Sequence, residues 1–194
     1  MFSKALLIHR RLISTLWVLL CLIHSVQAQE SVQRKSPSLS LGLTSQSLLQ
    51  PGLRIGCEWK LNTWEVEDKI KSVFLRPEIA GYFRTDVHIS YLMQVNGGYV
   101  RTKADKGSFS AWSLGLGYLH QSQVTEYRVA LSDGSKEKMR QNWPWFLATI
   151  NYEFGKNIGS DWSWYGRISP GTKISAERES AALLFIEWGV IRHL

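Results

Sequence analysis

Cysteine is nearly missing from this 194-residue chain: Cys21 sits in an apolar N-terminal run, and Cys57 is the only other one. Without that run a single thiol remains, and no internal disulfide can form. A secreted domain of this size must then hold together through its own core or through a membrane. Long apolar runs are missing too. Beyond Ile23 no stretch approaches the roughly 18 to 20 residues that a helical membrane span needs. His88, His120, His193 and Cys57 do not approach metal-ligand spacing. The sequence has no Gly-rich phosphate loop and no nucleic-acid motif, so no cofactor, metal or nucleic-acid partner is expected.

The first segment reads as a processing signal. Lys4, Arg10 and Arg11 precede the apolar run 12–23, and Ser25-Val26-Gln27-Ala28 leads to a cut after Ala28. This is the layout of a secretory signal peptide over residues 1–28, too short for a comfortable span. Leu20 stands before Cys21 where lipoprotein processing needs a small residue. Losing Lys4, Arg10 and Arg11 takes the basic residues from 23 to 20 against 16 acidic ones, so much of the basic character belongs to the signal. Residues 29–36 follow as a polar leader, and 37–194 are long enough for one domain.

What fills that domain is two-residue alternation. Leu53, Ile55, Cys57, Trp59 and Leu61 share one face of a strand, opposite Arg54, Gly56, Glu58 and Lys60. Leu39, Leu41 and Leu43 alternate with Ser and Gly before it, and Gln50-Pro51-Gly52 is expected to turn between the two. Residues 62–71 are charged and read as a loop. Val73, Leu75, Ile79 and Phe83 oppose Phe74, Arg76, Glu78, Tyr82 and Arg84; Thr85-Asp86 reads as a turn. Val87, Ile89, Tyr91, Met93 and Val95 follow, with a bend or bulge expected at Gly97-Gly98. After a turn at 103–107, Trp112, Leu114, Leu116 and Tyr118 face Ala111, Ser113, Gly115 and Gly117, small residues that suit the crowded inside of a narrow barrel. Residues 132–142 read as an exposed loop. Phe146, Ala148, Ile150, Tyr152 and Phe154 alternate next, 156–161 make a turn, and Pro170-Gly171 interrupts the penultimate strand. In the last segment Leu184, Ile186, Trp188, Val190 and Leu194 alternate with Glu187, Gly189 and His193 up to the final residue. A terminal hydrophobic strand needs a partner, and a closed barrel supplies one by pairing last strand with first. The expected fold is all-β: an antiparallel up-and-down barrel of about eight strands over residues 37–194.

Alternation alone describes a soluble barrel equally well. Tryptophan near strand ends (Trp59, Trp64, Trp112, Trp143, Trp145, Trp162, Trp164, Trp188) fits the aromatic girdles of an outer-membrane barrel. The persistent apolar face and the charged opposite face fit it too. The expectation is an exported outer-membrane barrel whose partners are outer-membrane lipid, the barrel-assembly machinery and an unknown extracellular or periplasmic ligand. The alternative is a soluble periplasmic lipocalin-like barrel, with the Leu53/Ile55/Trp59 face turned inward around a small apolar ligand.

Pro77-Glu78, Gly81-Tyr82-Phe83, residues 115–120 (GLGYLH) and 186–190 (IEWGV) resemble small outer-membrane β-barrel proteins of Bacteroidota-type bacteria, over roughly residues 72–194. The resemblance implies fold and location; the family has no assigned activity. The chain departs from it in ending on Leu194 rather than an aromatic residue.

One pair of residues points to catalysis. His88 and Ser90 lie on one face of a strand, about 7 Å apart by strand rise, with Glu78 or Glu58 as a candidate acid. A His-x-Ser arrangement with a separate acid resembles outer-membrane lipid A deacylases, and implies a membrane-embedded lipid hydrolase or acyltransferase. Against it, His88 and Ser90 oppose the row expected to face lipid. The preferred reading is a non-enzymatic barrel with no catalytic residue, acting through loops 62–71 and 132–142. Arg54, Glu58, Arg76, Glu78, Arg84, Glu153, Arg167 and Glu187 are expected to face the lumen, where they either line a pore or fill it with ion pairs.

Overall fold

Eight strands in chain order close into one antiparallel barrel: β1 (Ser38–Gln46), β2 (Gln50–Val66), β3 (Lys69–Arg84), β4 (His88–Lys103), β5 (Ser108–Val129), β6 (Lys136–Ile158), β7 (Trp162–Ile174) and β8 (Ala181–His193). This computed structural model describes residues 37–194 apart from 48–49, 85–87, 130–135 and 176–178, and describes the backbone alone at 84, 88, 124–129 and 136–140. The expected signal segment 1–28, the leader 29–36 and the Thr85-Asp86 turn lie outside the described residues. Closure is made where the sequence pattern called for it. β8 pairs with β1 from Phe185↔Gln46 to His193↔Ser38, so every strand has two neighbours and no edge is left along the shared length.

The apolar rows all point outward. Leu41, Ile55, Met93, Leu114, Phe146 and Trp188 are each more than half exposed, while Arg54, Arg76, Asn151 and Arg167, on the alternate positions of their strands, are buried in the lumen. The lipocalin-like alternative required the opposite arrangement for Leu53, Ile55 and Trp59, and it is overturned: all three face out. On β4, Tyr91 and Tyr99 bracket the aliphatic part of the outer surface. They are eight residues apart, about 26 Å along the strand and roughly 20 Å along a barrel axis tilted ~40° from it. Phe83, Tyr91, Tyr118 and Phe146 ring one border of that belt. The other border carries Trp64 against Tyr99, Trp112 against Tyr152, and Trp164 stacked on Trp188 at 5.0 Å. Trp145 does not belong to a girdle. It is buried inside, with Trp143 packed against the same cluster.

Several expected turns are strand. Gln50, Pro51 and Gly52 pair with Gln46, Ser45 and Thr44, and the chain reverses just before them, starting at Ser47 with φ 52°. Residues 62–71 are not a loop but the end of the β2–β3 hairpin, which turns at Glu67 (φ 54°) and Asp68. A β-bulge between Lys60 and Asn62 swaps the two faces of β2 there, so the alternation that was clear up to Leu61 is broken in the sequence although the pairing continues. Gly97 and Gly98 make no bulge; both stay in register with β3 and β5. A Cβ on Gly98 would strike the Trp112 carbonyl and Ser113, so this glycine serves close strand approach. Pro170-Gly171 does not end β7, whose ladder with β8 is unbroken; only the β6 side is interrupted, between Gly171 and Ile168, where proline offers no N–H. Residues 136–142 belong to β6. The β5–β6 ladder runs on from Gln123↔Gln141 to Val129↔Lys136, roughly 20 Å beyond the last pair that β5 makes with β4.

Candidate functional site: a closed lumen

The lumen is built in three layers. Its middle layer brings together Arg54 from β2, Arg76 and Glu78 from β3, Glu153 from β6, Arg167 from β7, Glu187 from β8 and Glu58 from β2. Arg76 donates to Glu153 at 2.6 Å through Nη1 and to Glu58 at 3.0 Å through Nε. Arg167 donates to Glu78 at 2.6 Å and to Glu153 at 2.9 Å. Arg54 donates to Glu78 at 3.0 Å and to the Tyr82 hydroxyl at 2.9 Å, and its Nε lies 3.1 Å from Glu187. Three guanidiniums thus serve four carboxylates. Glu187, which Arg167 also approaches at 3.5 Å, accepts a further hydrogen bond from the Tyr165 hydroxyl. Burial of any of these charges singly would cost several kcal/mol, and the shared partners are what make the set tolerable in a low-dielectric interior.

Glycine makes the room. A Cβ on Gly42 would lie 2.6 Å from Glu187 Oε1 and 2.7 Å from the Tyr165 hydroxyl, so β1 passes the network with no side chain at all. Gly115 does the same on the opposite wall, where Gln94 donates to Thr149 at 2.8 Å and Asn151 donates to Asn96 at 2.9 Å.

On the side of the long β5–β6 hairpin, an apolar layer of Ala80, Tyr82, Leu92, Leu119, Trp145, Leu147 and Phe185 caps the ion network. Arg54 lies over the Phe185 ring at 5.6 Å, joining the two layers. Toward the other end, His193 bridges the seam between first and last strands. Its Nδ1 is 3.0 Å from Ser38 Oγ and its Nε2 2.8 Å from Ser163 Oγ, which itself donates to Asn157 at 2.9 Å. With that hydroxyl proton spent on Asn157, Nε2 is the donor of the ring and Nδ1 the acceptor. Arg54, Arg76 and Arg167 are 2–3% exposed and Glu78, Glu153 and Glu187 3–4%, so the middle layer leaves no water-filled passage among the described residues. Of the two readings of the lumenal charges, the filled lumen is the one observed. The side chain of Arg84 lies outside the described residues.

The catalytic alternative fares differently. Ser90 is buried inside the lumen, paired across the sheet with Tyr82 and Gln121, away from the apolar outer surface. Glu78 pairs with Gln94, four residues and about 13 Å along β4 from Ser90, and both Glu78 and Glu58 are taken up by arginine. Neither candidate acid is therefore brought to Ser90; the His88 side chain is outside the described residues. No group of three or more His, Cys, Asp or Glu side chains is gathered to hold a metal ion among the described residues. Sequence reasoning missed the seam latch, because Ser38, Ser163 and His193 share no motif and meet only on closure.

The sequence matches no protein-family model, and no curated protein matches it. Similarity is found in solved structures. The crystal structure of the outer membrane enzyme PagL superposes with a TM-score of 0.55 at 11% identity, covering 81% of this chain and 99% of that one. The N-terminal β-barrel domain of Pseudomonas aeruginosa OprF follows with a TM-score of 0.51 at 14% identity, covering 83% and 98%. The fold is that of small outer-membrane β-barrels.

Proposed function

We propose that this chain spans the bacterial outer membrane as a closed barrel and acts structurally or as a binding protein, from its rim rather than through a pore or a reaction. The inside-out distribution of polarity carries this reading: an aliphatic belt between aromatic borders outside, and a buried ion network inside. Such a surface is costly in water and suited to hydrocarbon. Export follows from the signal-like residues 1–28, and the small barrels of Bacteroidota-type bacteria are the relatives that its strand motifs favour. The contacting element is the β5–β6 hairpin, because it alone extends past its neighbours at that rim among the described strands; the 62–71 segment, shortened to a two-residue turn at the other end, is not. By the rule that periplasmic turns are short and extracellular loops long, the hairpin faces the exterior and the β2–β3, β4–β5 and β6–β7 turns face the periplasm.

Fractionation tests it. The expressed protein is expected in the membrane pellet after an alkaline carbonate wash, with a mobility on gels that shifts on boiling. Reconstituted in a planar bilayer, it is expected to add no conductance. Release into the soluble fraction would end the membrane reading, and steady single-channel openings would end the closed-lumen one. Ser90→Ala is expected to leave the lipid A of an expressing host unchanged relative to the parent protein, and lipid A altered by the parent but not by the variant would restore the hydrolase.

A further inference from the structure

One row of residues crosses four strands on the outer face, leading from Trp64 of the aromatic border nearer the short turns to residues just beyond that border: Trp64 pairs with Lys71, Lys71 with Arg101, and Arg101 with Ser110. Next to it toward the turns, Lys69 pairs with Lys103. Four cations therefore face one another across β3 and β4. Directly opposed like charges on a sheet face, with Cβ atoms ~5 Å apart, repel each other. The structure offers almost nothing to offset this. Among the described residues, Lys71, Arg101 and Lys103 have no ion-pair partner, and Lys69 has only a 3.8 Å contact with the exposed Glu67. The other acids of this end, Glu65, Asp68, Asp105 and Asp161, make no ion pair with the group. Arg101 and Lys103 also line a concavity of about 360 Å³ together with Ser108, Phe109 and Ser110, which adds two hydroxyl donors to the two cations.

The position says which anion belongs there. Tyr99, which meets the Trp64 ring at 6.0 Å, and Trp112 lie one step up the same strands from Arg101 and Ser110. Aromatic borders mark the headgroup level of a bilayer, so the cations sit where lipid phosphates run. We infer that Lys69, Lys71, Arg101 and Lys103 form a binding site for the headgroup of an anionic phospholipid in the periplasmic leaflet, its phosphate between β3 and β4 and its chains along the apolar belt above. The inference rests on the membrane reading of the preceding subsection. The like-charge pairs then become a gain: two cations that repel each other in the bare protein share one phosphate in the membrane.

The test uses the full chain refolded into vesicles of phosphatidylcholine alone or of phosphatidylcholine with phosphatidylglycerol, followed by native mass spectrometry of the extracted protein. The boiling-dependent gel shift first shows whether each protein has folded and inserted. Failure of the parent protein to insert into phosphatidylcholine overturns the membrane reading and this site with it. Given insertion, the parent protein is expected to retain phosphatidylglycerol over phosphatidylcholine by on the order of tenfold, as a few interfacial cations supply. The variant Lys71→Gln/Arg101→Gln/Lys103→Gln is expected to lose that preference. Lys106→Gln/Lys156→Gln, which removes two cations of the same end outside the group, and Lys71→Arg/Lys103→Arg, which keeps its charge, are expected to retain it. Equal retention of both lipids by the inserted parent protein, or an equal loss of preference in the Lys106/Lys156 variant, overturns the site alone. So does displacement of phosphatidylglycerol by millimolar inorganic phosphate, which would make free phosphate the ligand. Should the triple variant fail to insert, Arg101→Gln alone carries the comparison, with a several-fold loss expected and no loss overturning the site.

Discussion

Arg76 and Glu153 stand 77 residues apart in the chain and meet at 2.6 Å across the barrel, joining β3 to β6 through the lumen rather than through the sheet. No neighbouring strand mediates this contact. It braces the barrel across its width, and its loss leaves Glu58 and Glu153 short of a shared cation. Arg76→Met is expected to lower stability by about 3–5 kcal/mol, the cost of stripping one partner from a buried charge set. Equilibrium urea unfolding in vesicles, followed by tryptophan fluorescence, measures it; an unchanged midpoint would mean that the network carries no stability.

Gly42 is expected to tolerate almost nothing. Gly42→Val would drive its side chain into Glu187 and Tyr165, and should cost roughly 1–3 kcal/mol as an overpacked interior does. The same substitution at Gly81, where a Cβ meets nothing within 4 Å, is the matched comparison and should cost less. Equal loss at both positions in the same unfolding assay would refute the steric account.

Depth along the outer surface should be readable by substitution. Leu114→Arg, in the aliphatic belt between Trp112 and Tyr118, is expected to cost about 2–4 kcal/mol of folding into vesicles, whereas Ile158→Arg, exposed on β6 beyond the Trp164 border, should cost roughly 0–1 kcal/mol. A soluble barrel would show no such gradient, since both residues would simply face water.

His193→Ala removes two hydrogen bonds at the strand seam while leaving the β1–β8 ladder in place. Each such bond contributes about 0.5–1.5 kcal/mol, so a loss near 1–3 kcal/mol is expected. Hydrogen exchange at the Ser38 and His193 backbone amides should accelerate first; exchange that quickens only at sites far from the seam would contradict the latch.

Much of this molecule was legible from period two alone. The two faces of β2 up to Leu61, of β3, β4 and β8, and the lumenal placement of Arg54, Glu58, Arg76, Glu78, Glu153, Arg167 and Glu187 follow from alternation, because side-chain direction in a strand is set residue by residue. So does closure, foreshadowed by a last strand whose apolar row needed a partner. Misreading began wherever the determinant was not local. The bulge at Lys60/Asn62 swaps faces and made a paired hairpin look like a charged loop. The charged residues 136–142 read as loop because they carry no apolar row, although the backbone pairing with β5 runs through them. Trp143 and Trp145 have the composition of a girdle yet turn inward, since parity and register, not residue type, decide which side they meet.

The sequence by itself determined that the chain is built of two-faced strands, and which residues share each face. Tertiary structure alone decided that Arg76 reaches Glu153 and Glu58, that His193 ties Ser38 to Ser163, and that Lys71 faces Arg101 outside. The reason is one of range. A face is a property of each strand's own pleat, whereas a partner across the lumen or the seam exists only once the register of all eight strands has brought distant residues to the same height.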